Sequence, residues 1–272
     1  LEVFLLLLLC FLLVTLLLGR DPCELDLRAE DRVLHQVARV DDVCVGLAED
    51  RDFDGLGALQ SPDDLPVSSP LQDLGDIPDP DDLALLSELG CRAMTMGNRE
   101  LHYLPWILER RAQERNFPLL AANLVELWGR QTSWQEGVSL SFGQTQVGIF
   151  GMTVVQYPVG SLYEKAFGLR FLPPETLIEH LVEKYQKEND LVIFLSHLGI
   201  DWDRRLARQL TARPDLKCDF ILGGHTHLTL QEPEVYGHTR LSHIGSHSSG
   251  YGEWKLQDRE WHFELHREAV QA

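Results

Sequence analysis

Four short polar clusters bring together residue types that could do chemistry: Asp73-Leu74-Gly75-Asp76, Gly97-Asn98-Arg99-Glu100, Ser196-His197-Leu198-Gly199 and Gly223-Gly224-His225-Thr226-His227. Carboxylate, amide oxygen and imidazole form a mixed nitrogen and oxygen donor set suited to zinc, manganese or iron. A shared carboxylate lets two such ions sit about 3.5–4 Å apart. Glycine within each cluster lets the backbone turn sharply beside the ligands. Taken singly, each residue has an ordinary explanation: a turn Asp, a turn Asn, two strand-end histidines satisfied by backbone, a loop His. Taken together they read as a metal site assembled from loops.

Such a site needs elements that end where the clusters begin. Apolar runs predict strands over 91–96, 118–124, 191–195 and 220–222, and a hairpin of 138–142 with 147–155 around Gly143. Amphipathic spacing predicts helices over 104–115, 174–188 and 202–212. Strands and helices alternate, so the body is an α/β layered domain, and its sites belong at strand C-terminal ends. From residue 236 onward consecutive strands follow, over 240–244, 252–256 and 261–265. Their histidines, His238, His243, His247, His262 and His266, fit a solvent-facing alternation. Ahead of the body, the spacing predicts an amphipathic helix over 24–40, a strand over 43–48, an acidic turn over 49–55 and a helix over 81–89.

At 272 residues and 44% apolar, the chain can bury a sizeable core. Its formal charge of −18 argues against a nucleic acid duplex as partner. The acidity is concentrated: residues 21–90 hold 19 Asp and Glu against 4 Lys and Arg. Five cysteines with no C-x-x-C pair give neither a disulfide framework nor a zinc ribbon, and read as buried, inert thiols. Residues 3–18 are apolar except Thr15. That is short for a membrane span and fits a signal-peptide core or a short anchor, which places the protein outside the cytoplasm or on a membrane. The expected organisation is a hydrophobic leader over 1–20, an acidic linker over 21–42 and one catalytic domain over 43–272.

The order GD, GN-x-E, SHLG, GGHTH resembles the calcineurin-like metallophosphoesterases. The stretches 93–123, 191–207 and 218–227 are similar to their 5'-nucleotidase branch. The resemblance implies a four-layer sandwich, two mixed sheets flanked by helices. It also implies two divalent metal ions (Mn, Zn or Fe): Asp76 bridging, Asn98, His197 and His225 completing one site, and His227 belonging to the other. The substrate implied is a small phosphorylated molecule, a nucleotide among the candidates.

Three departures from the family pattern stand out. No Asp-x-His occurs ahead of Asp76; Asp52 and Asp54 are the best substitutes, with solvated acidity an equal alternative. Where the family places a histidine that protonates the leaving alkoxide, this chain has Arg99, which can clamp phosphate but cannot usefully donate a proton at neutral pH. His102, three residues on, could take the acid role, or could be an ordinary surface histidine at a helix start. The sequence also stops just after the last strands of the catalytic layer, so substrate identity does not carry over. Two functions therefore stay open: phosphate ester hydrolysis at a dinuclear metal centre, and a catalytically impaired surface binding module. Oligomeric state is not encoded in any of these features.

Overall fold

In the computed structural model the described residues are 36–40, 43–47, 86–87, 90–98, 100–102, 115–245 and 250–267, with backbone alone for 36–40 and 43–47. All of them fall in one compact unit, residues 33–272. The leader, most of the acidic front segment and the helix expected over 104–115, apart from Arg115 itself, lie outside the described residues.

The first described elements are β1 (Gln36–Val40) and β2 (Val43–Leu47), then β3 (Cys91–Thr95), β4 (Leu119–Leu120), β5 (Leu124–Glu126) and β6 (Trp134–Gln135). Next come β7 (Gly137–Phe142), β8 (Thr145–Thr153), α1 (Leu162–Phe167), β9 (Leu169–Phe171), α2 (Ile178–Gln186), β10 (Leu191–His197) and α3 (Ile200–Thr211). The remainder is β11 (Phe220–Gly223), β12 (Glu234–Tyr236), β13 (Thr239–His243), β14 (Gly250–Gln257) and β15 (Glu260–Arg267). Among the described residues these form a seven-stranded sheet ordered β15-β14-β1-β2-β3-β4-β6, a six-stranded sheet ordered β12-β13-β11-β10-β8-β7, and the small pair β5-β9.

Residue alternation explains how the sheets stack. On one face of the six-stranded sheet, Val147, Ile149, Ile193, Leu195, Phe220 and Leu222 pack against Ala93, Leu120 and Trp254 of the other sheet. The residues between them, Phe150, Met152, Val192, Phe194 and Ile221, point the other way onto Ile178, Leu181, Val182, Leu206 and Leu210 of α2 and α3. Because β8, β10 and β11 are covered on both faces, they are continuous apolar runs, as parallel central strands must be. Phe150 stacks on Phe194 with ring centroids 5.0 Å apart, a pair worth about 0.5–1.5 kcal/mol beyond its buried area. A third apolar cluster, around Met94, Met96, Leu119 and Phe171, lies on the outer face of the seven-stranded sheet.

The two-sheet α/β architecture expected from the sequence is therefore present, with helices α2 and α3 as one outer layer. Two expectations need correction. Residues 36–40 are not the end of a helix: β1 pairs antiparallel with β2 and parallel with β14, so the sheet begins before residue 43. The strand expected over 118–124 is two strands, because Asn123 turns inward between them. Fully buried, its side chain donates to the Thr153 carbonyl (2.7 Å) and accepts from the Thr153 amide (2.9 Å), pinning the end of β8. Cys91 and Cys218 are buried, and burial pushes the Cys218 thiol far up, as an inert core cysteine requires. Among the described residues no helix is long and apolar enough to cross a membrane.

Candidate metal centre

Strands β3, β10 and β11 end on the same side, and each end delivers one polar side chain. β3 is followed by the turn that carries Asn98, and Glu100 shapes that turn. Its buried carboxylate accepts a 2.7 Å bond from the Gly97 amide. β10 ends in His197, which is fully buried and pairs in register with Thr153 of β8. His197 Nε2 lies 3.0 Å from Asn98 Oδ1, joining the ends of two strands from different sheets. The His225 ring follows β11 and sits with its centroid 5.1 Å from that of His197, tilted 60°.

The turn carrying His225 is held in an uncommon backbone state. His225 has φ of 77° and His227 of 54°, in the left-handed region that side chains other than glycine rarely adopt. The Thr226 amide bonds back to the Gly224 carbonyl at 3.0 Å, making a tight turn centred on His225. Such residues cost about 1–3 kcal/mol each and persist only where their surroundings over-determine them. Two such surroundings are visible. Thr226 Oγ1 accepts from the Ile200 amide (3.3 Å), so the turn caps the start of α3, and the Gly224 amide donates to the Ser196 carbonyl (2.9 Å). Gly199 is required at this junction: with φ of 92°, its Cβ position would lie 2.8 Å from Thr226 Cγ2.

The donors fit a divalent cation. Asn98 Oδ1 and His197 Nε2 lie at hydrogen-bond distance, 3.0 Å, which is also about the separation of two ligands held at right angles on one ion at about 2.1 Å. Imidazole nitrogen with amide oxygen is the donor chemistry of manganese, zinc and iron rather than calcium.

Sequence comparison finds no matching family model. It does find relatives. Over 161 residues the chain is 30% identical to YunD, an uncharacterised metallophosphoesterase of Bacillus subtilis, covering 56% of this chain and 31% of that protein. Over 191 residues it is 26% identical to a 5'-nucleotidase of Vibrio cholerae, covering 66% of this chain and 33% of that one. The fold is also that of a 5'-nucleotidase precursor from Thermus thermophilus, with a TM-score of 0.57 at 21% identity over 68% of this chain and 40% of that one. The chain is similar to metallophosphoesterases and 5'-nucleotidases over part of its length, and it shares their fold. It spans about a third of the length of these curated relatives.

Of the metallophosphoesterase positions named from the sequence, the structure brings Asn98, His197 and His225 together and sets His227 on the same strained turn. Asp76, Asp52, Asp54 and Arg99 lie outside the described residues. His102 closes the short 3-10 turn Glu100–His102, and its side chain is likewise outside the described part.

Sequence reading missed several residues that build this end of the sheets. Gln156, three residues past β8, donates from Nε2 to the Asn98 carbonyl at 3.1 Å. The Tyr163 hydroxyl donates to the Leu101 carbonyl at 3.3 Å, and burial pushes that phenol up to about 12, so it remains a donor at neutral pH. Most instructive is His243, expected to face solvent and found 1% exposed, with Nε2 2.7 Å from Oδ2 of the fully buried Asp203. A histidine on an alternating strand gives no hint that its partner sits 40 residues earlier, on a helix.

Proposed function

We propose that this chain hydrolyses a phosphate ester of a small molecule, a nucleotide among the candidates, at a centre of two divalent ions. The observation that supports this best is the convergence of Asn98 Oδ1 and His197 Nε2 at 3.0 Å beside His225, at the ends of strands from both sheets. The names of the relatives, metallophosphoesterase and 5'-nucleotidase, point to the same class of reaction.

In this reading Asn98, His197 and His225 hold one ion, His227 contributes to the second, and Asp76 bridges them. Asp52 and Asp54 stand in for the missing Asp-x-His. Bound ions supply activation of the attacking water and neutralise charge on the phosphoryl oxygens. The chain's own residues do the rest. Arg99 clamps the phosphate with its planar guanidinium and stabilises charge developing in the transition state. His102 would return a proton to the leaving oxygen. Glu100 keeps the Asn98 turn closed through the Gly97 amide, and Gln156 holds the Asn98 carbonyl. Export or membrane attachment through residues 3–18 belongs to the same proposal.

The test is hydrolysis of an aryl phosphate by the full chain with saturating manganese, for wild type and His225→Ala. Hydrolysis by the wild type that is lost in the variant supports the reading. Manganese binding without hydrolysis in the wild type would favour the binding module, and equal hydrolysis by both proteins would remove His225 from the centre.

A further inference from the structure

Directly beneath the strand ends lies a polar cluster that no ligand role explains. Asp203, fully buried on the first turn of α3, is gripped on both oxygens: Ser196 Oγ donates to Oδ1, and His243 Nε2 lies 2.7 Å from Oδ2. The Ser196 hydroxyl also accepts from the Leu198 amide at 3.2 Å, so it is engaged on both sides of His197. Gly223 lies against the same pair; a Cβ there would overlap His243 Nε2 and Asp203 Oδ2. The cluster therefore touches the residue before His197 and the residue two before His225, on neighbouring parallel strands whose Ser196 and Gly223 are in register.

Taking a carboxylate out of water is costly unless its oxygens are satisfied, and a hydrophobic residue would fill the same space at less cost. Its place under both strand ends gives it a use. Resting on the metal-centre reading above, we propose that Asp203, with Ser196 and His243, is a positioning latch that sets the separation of His197 and His225 before a cation arrives. None of the three touches the ion. Each acts through the backbone of the residue that does: Ser196 through the 196–198 turn, and Asp203 with His243 through the close approach of Gly223. Losing the latch should weaken cation binding while every ligand remains, as loss of groups that orient metal ligands does elsewhere, by about tenfold.

A control comes from the other end of the same sheet. Asp219 is also buried, accepts from the Val192 amide at 2.9 Å, and lies far along β10 from the ligands. The experiment is a calorimetric titration of the full chain with Mn²⁺ for wild type, Asp203→Asn, Ser196→Ala and Asp219→Asn. It is accompanied by thermal melts and by imidazole NMR signals of His197 and His225 in the metal-free protein. Asp203→Asn and Ser196→Ala are expected to bind Mn²⁺ about tenfold more weakly and to shift both imidazole signals. Asp219→Asn is expected to melt at lower temperature yet bind Mn²⁺ within twofold of wild type. Should Asp203→Asn fail to fold, Ser196→Ala, which removes one hydroxyl, decides the matter. Wild-type affinity and unmoved signals in folded latch variants, or an equal loss of affinity in Asp219→Asn, would overturn the proposal. A wild type that binds no Mn²⁺ would defeat the metal-centre reading instead, and the metal-free imidazole signals would still decide the latch.

Discussion

Both ends of β10 gather polar side chains, and they use them in different ways: the start is largely solvent-accessible with Asp219 buried, while the other end is mostly buried. At its start, side chains bond mainly to backbone. Asp219 takes the Val192 amide, Gln186 accepts from the Lys217 amide and donates to the Asp215 carbonyl, and Asn189 donates to the Tyr185 carbonyl. Lys217 lies 3.1 Å from Asp219 and balances its charge. At its other end, side chains meet side chains: His197 with Asn98, His225 beside His197, and Asp203 with Ser196 and His243. Bonds between side chains are the minority kind in folded proteins, and most buried polar groups are satisfied by backbone. The start of the strand is thus finished largely by side-chain bonds to backbone. The end concentrates ligand-type atoms on one point and holds His225 and His227 in backbone states that cost energy.

The contrast breaks most sharply at His225. His225→Ala should abolish aryl phosphate hydrolysis, a loss of 10³-fold or more on the order of what removal of a principal transition-state contact produces, while the melting temperature stays close to wild type. A large fall in stability with retained hydrolysis would make His225 part of the fold rather than the site.

Arg99, the proposed phosphate clamp, sharpens the same contrast. A positioned acid contributes about 10²–10⁴ in rate, and that help matters most for basic leaving groups. The protein should therefore hydrolyse aryl esters much faster than a nucleoside monophosphate, and Arg99→His should raise turnover of the alkyl ester selectively. Rates on both esters with saturating manganese check this; equal gains on both would mean that Arg99 only obstructs.

Gly223→Ala tests the junction between fold and site. The added methyl overlaps Asp203 and His243, so urea unfolding should show a loss of about 1–3 kcal/mol, typical of overpacking. Mn²⁺ affinity should fall with it, which a defect at the start of β10 would not cause.

The smallest effect is expected at Glu164, a carboxylate whose partners are local. It accepts from Arg170 and from the Gly160 amide, and these hold its carboxyl down at about 2. The folded value lies below the unfolded one, so its contribution is fully present above the usual carboxylate range. That contribution is lost as pH falls from about 4.5 toward 2. Glu164→Gln should flatten this part of the pH–stability profile and leave Mn²⁺ affinity at pH 7 unchanged.

What was legible in the sequence follows the same division. The hairpin around Gly143, the apolar β10 and the Gly223–His227 turn announce themselves through local composition, because central strands and tight turns restrict residue type locally. β1 did not: Val33, Leu34 and Val37 have helical spacing that hides its antiparallel pairing with the neighbouring β2, and its second partner β14 lies over 200 residues on, where no window reaches. α1 and β9 are too short to show a period, although Ser161 and Glu164 form a capping pair at the start of α1. Asn98, His197 and His225 could be named as candidate ligands because the clusters that carry them resemble the metallophosphoesterase pattern. Asp203 and His243 could not, since an Asp in the first turn of a helix and a His on an alternating strand each have a sufficient local explanation.

The central claim is that the ends of β3, β10 and β11 form a cation centre, and manganese stoichiometry tests it most directly. Equilibrium dialysis of the full chain against Mn²⁺, for wild type and His197→Ala, should find two ions per chain in the former and at most one in the latter. An unchanged ion count in a folded His197→Ala variant, or no bound ion in the wild type, would contradict it.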